Sequence, residues 1–223
     1  MIRTVLFDLD GTLIDTEKYF RRAWPQALAA FEYKMTDEQA LSLRSLGRPF
    51  APERFREMFG EGIDYALVRE KRKQIMEEMI AREGIWLKPG AAELVRFLKE
   101  AGYTVAIATA TDEERTARYL SQTELPLSAF DRFISATMVA RGKPAPDIYE
   151  YACSQLGVAP GECYAIEDAP NGILSAFRAG CRVLTVPDQT EPDKELIPLL
   201  SGRFDSLSDL IPWLKEQNKE KGE

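Results

Sequence analysis

From residue 88 onward the chain repeats one grammar. Stretches of helical character end at glycine, and short continuous apolar runs follow them. Residues 91 to 101 are predicted as a helix ended by Gly102, then YTVAIAT as a strand. Residues 112 to 123 read as a helix and FISA as a short strand. Residues 146 to 156 form a predicted helix ended by Gly157, followed by the strand CYAIED. A helix over 170 to 179 ends at Gly180, before the strand RVLTV. Such runs fit strands covered on both faces. Strands alternating with helices require a parallel sheet with helices packed on each side. The expected fold class is α/β, a doubly wound parallel sheet.

One similar run lies far upstream, RTVLFDL near the N-terminus. Roughly residues 16 to 87 carry no comparable strand and read as helical. Asp15 or Thr16 is placed to cap a helix through EKYFRRAWPQALAAFEY, which Pro25 would kink or split. Thr36, with Asp37 and Gln39, starts a second helix. GRPFAP breaks the pattern, and a helix resumes near Pro52. In YALVREKRKQIMEEMIARE, Leu67, Val68, Ile75, Met76, Met79 and Ile80 recur near helical spacing. The expected organisation is a core of residues 1–15 and 88–223, with a helical domain, 16–87, inserted after the first strand. The charged tail KEQNKEKGE is expected to fray.

Composition removes several function classes. The 223 residues carry a net charge of -7, which argues against a general nucleic-acid or membrane-surface binder. No apolar run reaches membrane-span length, and the N-terminus does not read as a secretory signal. The three cysteines, Cys153, Cys163 and Cys181, lack CxxC spacing, so a reduced, cytoplasmic setting is expected. There is no histidine. A Ser-His-Asp triad, a Cys-His pair and a histidine-ligated metal are excluded.

Three apolar runs finish in polar groups. VLF leads to Asp8, VAIA to Thr109, and YAI to Glu167 and Asp168; RGKPAPD adds Lys143 in a loop before a helix. In open parallel sheets, ligands bind beyond the carboxyl ends of the strands. Neighbouring strands would bring these ends into one crevice. Carboxylates crowded there repel unless a hard, oxygen-seeking cation is present, Mg2+ above all. That cation and Lys143 would neutralise a phosphate, with Thr109 and backbone N–H groups bonding its oxygens. One carboxylate would then attack phosphorus while a second moves the proton. Singly, each feature is ordinary: DxD is weak, and ED before a helix is often an N-cap. Their joint placement at strand exits points to chemistry.

DLDGT, IAT, GKPAPD and IEDAPNGI resemble the four ordered motifs of the haloacid dehalogenase-like hydrolase superfamily. The resemblance runs from Phe7 to about Val186, and the helical insertion is similar to that superfamily's small helical cap. The chain looks closest to the β-phosphoglucomutase-like phosphatases. The resemblance implies that Asp8 is the nucleophile forming an aspartyl-phosphate and that Asp10 is the general acid/base. It implies phosphoryl binding by Thr109, Ala110 and Lys143. It implies a Mg2+ site of Asp8, Asp10 through its backbone carbonyl, and Asp168, with Glu167 a direct or outer partner. Dehalogenases of this group lack the second aspartate, so Asp10 favours phosphoryl transfer.

Family mutases resemble DGV…DTAEYHFRAW where this chain has DGTLIDTEKYFRRAW. Thr12 stands in place of valine and Phe20 in place of histidine, which favours a phosphatase over a phosphosugar mutase. A phosphonoacetaldehyde hydrolase needs a cap lysine, and LRSLGRPFAPERF has only arginines. A non-catalytic phospholigand-binding domain would be expected to lose Asp8 or Asp10. Substrate choice should fall to the insertion. Arg48 is the first candidate, with Arg44 and Arg54 beside it and Phe20, Trp24 and Phe50 as apolar walls. Hinges are expected near Asp15–Thr16 and Lys88–Gly90. The expected partner is a small phosphorylated metabolite, the expected state a monomer.

Overall fold

The structure, a computed structural model, describes residues 2–219. Six strands form one parallel sheet in the order β3-β2-β1-β4-β5-β6. They are β1 Thr4–Phe7, β2 Thr104–Thr109, β3 Arg132–Ser135, β4 Cys163–Glu167, β5 Arg182–Thr185 and β6 Leu200–Arg203. The strand order reverses between β1 and β4, the switch point where such sheets open a crevice. Successive side chains on β1 face opposite layers. Val5 and Phe7 join the core under α5 (Ala91–Glu100), α6 (Glu113–Leu120) and α9 (Leu210–Lys219). Leu6 joins the core under α7 (Asp147–Leu156) and α8 (Pro170–Ala179).

The strand at the sheet's open edge, β6, has no counterpart in the sequence reading. Its residues, Leu-Ser-Gly-Arg, alternate half-buried and exposed, so it lacks the continuous apolar run that marks the inner strands. The predicted helix over 112 to 123 is shorter and stops at Leu120. Of the tail expected to fray, residues up to 219 lie in α9, and 220–223 lie outside the described residues. No described helix is long and apolar enough to cross a membrane.

Between β1 and α5 the chain forms α1 Glu17–Ala29, α2 Asp37–Ser42, α3 Phe50–Phe59 and α4 Tyr65–Glu83. Pro25 neither splits nor ends α1. The lost N–H bond is offset by packing of Trp24, Ala27 and Leu28 in a separate apolar cluster with Ala40, Leu43, Phe55 and Val68. A large side chain buried there contributes about 1.5–3 kcal/mol. Thr36 forms the expected capping box with Gln39, while α3 begins at Phe50, ahead of Pro52. The two connections to this insert run side by side. Asp15 N–H donates to Trp86 O and Lys88 N–H to Leu13 O, both at 2.9 Å.

Candidate active site

Strand register assembles the site. Phe7 pairs with Ile166 on β4 and with Ile107 on β2. Asp8 therefore comes level with Glu167, and Thr109 ends β2 on the other side. Lys143 enters from the loop before α7 and is almost wholly buried (1% exposed). Its Nζ donates to Asp8 Oδ1 at 2.5 Å and to Glu167 Oε1 at 2.7 Å. Tyr149, on α7, donates its hydroxyl to the same Glu167 oxygen, and its ring centroid lies 5.4 Å from the ammonium.

These bonds use one oxygen of each acid and leave the other. Asp8 Oδ2, Glu167 Oε2 and Asp168 Oδ2 are buried without hydrogen-bond partners. Asp8, Glu167 and Asp168 each offer an oxygen within 4.8 Å of the others. Such a donor set, all hard oxygen and strongly negative, fits a divalent cation of the Mg2+ or Ca2+ type. Gly11 closes the turn beside it with φ of 88°. A Cβ at Gly11 would meet Asp168 Oδ2 at 2.6 Å, so both backbone and space select glycine.

Asp10 stands apart from that trio. Thr16 Oγ1 donates to its Oδ1 at 2.6 Å, and Thr111 Oγ1 to its Oδ2 at 2.7 Å. Thr16 occupies the N-cap position of α1 but makes no side-chain cap bond; its hydroxyl holds Asp10 instead. Glu17 follows as another buried acid facing the site. A cavity of about 680 Å³ opens above, lined from the sheet side by Asp8, Asp10, Ala110 and Thr111, and from the insert by Glu17, Arg44 and Arg48.

The electrostatics follow from crowding. Burial raises Asp8 well above the carboxylate range; Lys143 opposes this, and Glu167, Asp168 and Asp10 add to it. Asp168 is pushed up to about 7 by burial, with Arg44 opposing and Glu167 adding. Burial, then Asp168 and Asp10, raise Glu17 well above its usual range. For Lys143, burial favours the neutral amine, but Asp8 and Glu167 outweigh it and keep the ammonium charged. A carboxyl with a raised folded pKa binds protons more tightly when folded, so stability falls as pH rises from the unfolded to the folded pKa. In EDTA, the melting temperature should therefore drop between about pH 4 and 7, by roughly 5–10 °C. Added Mg2+ should restore it at pH 7. A flat profile in EDTA, read by circular dichroism, would contradict this charge balance.

The sequence candidates separate in space. Arg48 and Ala110 line the cavity. Thr109 is fully buried, and its Oγ1 accepts the Thr111 N–H at 3.0 Å. Arg44 is buried, donates to Thr190 Oγ1 at 2.7 Å, and keeps Nε and Nη1 unpartnered. Phe20 and Trp24 line the cavity, and the Arg72 guanidinium lies over both rings, 4.7 and 4.8 Å from their centroids. Arg54 and Phe50 are not among the described lining residues, and Arg54 is exposed beside Glu57. Sequence reasoning missed Thr111, Tyr149, Glu17 and the part played by Thr16. Only Thr16 and Glu17 carried a signal, their place in IDTE where the chain leaves the sheet.

Comparison with known proteins fits this geometry. The sequence model of the haloacid dehalogenase-like hydrolases matches residues 2–180. Protein CbbY of Rhodobacter capsulatus is 33% identical over 196 residues, 84% of this chain and 86% of its own length. Hexitol phosphatase A of Escherichia coli is 35% identical over 181 residues, 81% of each chain. A crystal structure of a CbbY variant from Rhodobacter sphaeroides, in complex with xylulose-1,5-bisphosphate, superposes with a TM-score of 0.79. It is 29% identical and covers 94% of this chain and 96% of its own. Strand order, the acids at the strand exits and these matches together place the protein among the haloacid dehalogenase-like hydrolases, in their phosphatase group.

Proposed function

We propose that the protein hydrolyses a small phosphomonoester, a sugar or polyol phosphate, through an aspartyl-phosphate on Asp8 with Mg2+ as cofactor. The observation that carries this is the asymmetry of Asp8: Oδ1 is held by Lys143 while Oδ2 has no partner. The Asp8 carboxylate attacks phosphorus and the bond to the leaving oxygen breaks. Asp10, as the acid, gives that oxygen its proton. As the carboxylate, it then takes a proton from the water that attacks the aspartyl-phosphate, which frees phosphate and restores Asp8. Asp8, Asp168 and the Asp10 backbone carbonyl would hold Mg2+, with Glu167 as a direct or outer partner. When bound, Mg2+ supplies positive charge that relieves carboxylate repulsion and polarises the phosphoryl oxygens. Thr109, Ala110 and Lys143 would cradle the phosphoryl group.

Residues 16–87 would act as a cap over the cavity, turning on the paired connections and bringing Arg48 to the substrate. The ligand in the CbbY complex and the name of hexitol phosphatase support a phosphorylated sugar or polyol. The test is a panel of sugar and polyol phosphates with Mg2+, scored by released phosphate. A parallel reaction takes β-glucose 1-phosphate with glucose 1,6-bisphosphate. Free phosphate in the panel is the expected result. Efficient conversion to glucose 6-phosphate with little free phosphate would make the protein a mutase, and no turnover of any substrate would leave a binding domain.

A further inference from the structure

The loop between α2 and α3 meets the loop that carries Lys143 backbone to backbone. Gly47 N–H donates to Lys143 O at 2.8 Å, and Gly142 N–H donates to Arg48 O at 2.7 Å. The two bonds run in opposite directions between Gly47-Arg48 and Gly142-Lys143. The glycines lie face to face at closer range than side chains allow. A Cβ on Gly47 would sit 2.5 Å from Gly142 Cα, and a Cβ on Gly142 would sit 2.6 Å from Gly47 Cα. Neither has left-handed backbone, so conformation does not demand glycine at either position. Proximity does.

We propose that Gly47 and Gly142 are positioning residues, whose main-chain pair lets the docked insert fix the peptide of Lys143 and so its ammonium. This rests on reading residues 16–87 as a cap. The lysine is then held at both ends: its carbonyl by Gly47, its Nζ by Asp8 and Glu167. Arg48 lies on the other half of the same pair and lines the cavity. Other bonds across this seam use side chains. Asn171 Nδ2 donates to Arg44 O at 2.8 Å, and Arg21 Nη1 to Gln189 Oε1 at 3.1 Å. Those side chains can change rotamer; two apposed backbones cannot, so the glycine pair sets the closest approach of insert to sheet. An added methyl is tolerated when the insert is undocked and clashes only on docking.

The experiment uses Gly47→Ala and Gly142→Ala in the full chain. Without ligand, both should melt within about 3 °C of wild type, under about 1 kcal/mol at this size. With p-nitrophenyl phosphate and Mg2+, kcat should fall about 100-fold, the scale of a small misplacement of catalytic groups, with KM changed far less. Hydrogen exchange in Mg2+ and orthovanadate should show the amides of residues 47 and 142 protected in wild type and unprotected in the variants, with β1, β2 and β4 unchanged. Wild-type kcat, retained protection at both amides, or lost protection throughout the sheet would each overturn the proposal. Exchange reads docking without turnover. An inactive wild type would remove the phosphatase reading, while protection at the two amides would still decide for or against the glycine pair.

Discussion

Asp8→Asn is expected to reduce turnover to background, a loss on the order of 10⁴-fold or more, as when an enzyme loses its nucleophile. The amide keeps the volume and an oxygen that can accept from Lys143 Nζ, which now lies 2.5 Å from Oδ1. What disappears is the carboxylate oxygen proposed to attack phosphorus. The fold should not suffer. Burial and the neighbouring acids already disfavour a charge at Asp8, so removing it leaves the melting temperature equal to wild type or higher. Phosphate release with Mg2+ and a thermal melt on the same sample separate the two effects. Residual activity above about 1% of wild type would exclude Asp8 as the attacking group, since no other residue would replace it.

Lys143→Met should damage both function and stability. The substitution preserves most of the stem but removes the one ammonium shared by Asp8 and Glu167. Breaking a buried ion pair from one side costs roughly 3–5 kcal/mol, which for a chain of this size is a melting temperature lower by roughly 10 °C. The sign of the pH dependence is a second check. The loss comes from carboxylates left charged without a partner, so the deficit should narrow as pH falls and they take up protons. A deficit that is constant from pH 4 to 8 would mean that Lys143 matters through packing on Tyr149 rather than through charge. Turnover should fall by at least about 10³-fold, because Lys143 also would hold the phosphoryl oxygens.

How much was legible depended on the kind of interaction. Strands β2, β4 and β5 announced themselves by continuous apolar runs. Gly157 and Gly180 fall where α7 and α8 end in left-handed backbone. Reading strand exits as neighbours put Asp8 and Glu167 at one crevice, but the bond from Lys143 to Glu167 was not foreseen. Other features left no trace in local pattern. Strand β6 is held by one neighbour at an edge, so half its side chains meet water. Thr16 reads as a helix cap because that is the commonest use of threonine at such a place. Only the return of the chain past Asp10 gives its hydroxyl a carboxyl acceptor. Tyr149 looks like any core aromatic on a helix until β4 places Glu167 against its hydroxyl. Gly47 and Gly142 are far apart in sequence, and their closeness belongs to neither loop by itself.

The side-by-side crossings at Leu13–Asp15 and Trp86–Lys88 have a topological consequence. To the sheet, everything between them is an excursion that leaves and returns at one spot. The entropy of closing such an excursion grows only logarithmically with its length, about 0.6 kcal/mol for each doubling. Exchanging it for a longer, shorter or differently folded segment would alter little in β1 or its register, provided that the hydroxyl which Thr16 lends to Asp10 is supplied again. The architecture thus separates two kinds of inheritance. The acids stand at the exits of strands that tolerate no shift, while on the proposed reading of residues 16–87 as a cap, the choice of molecule would be rewritten between two fixed anchor points.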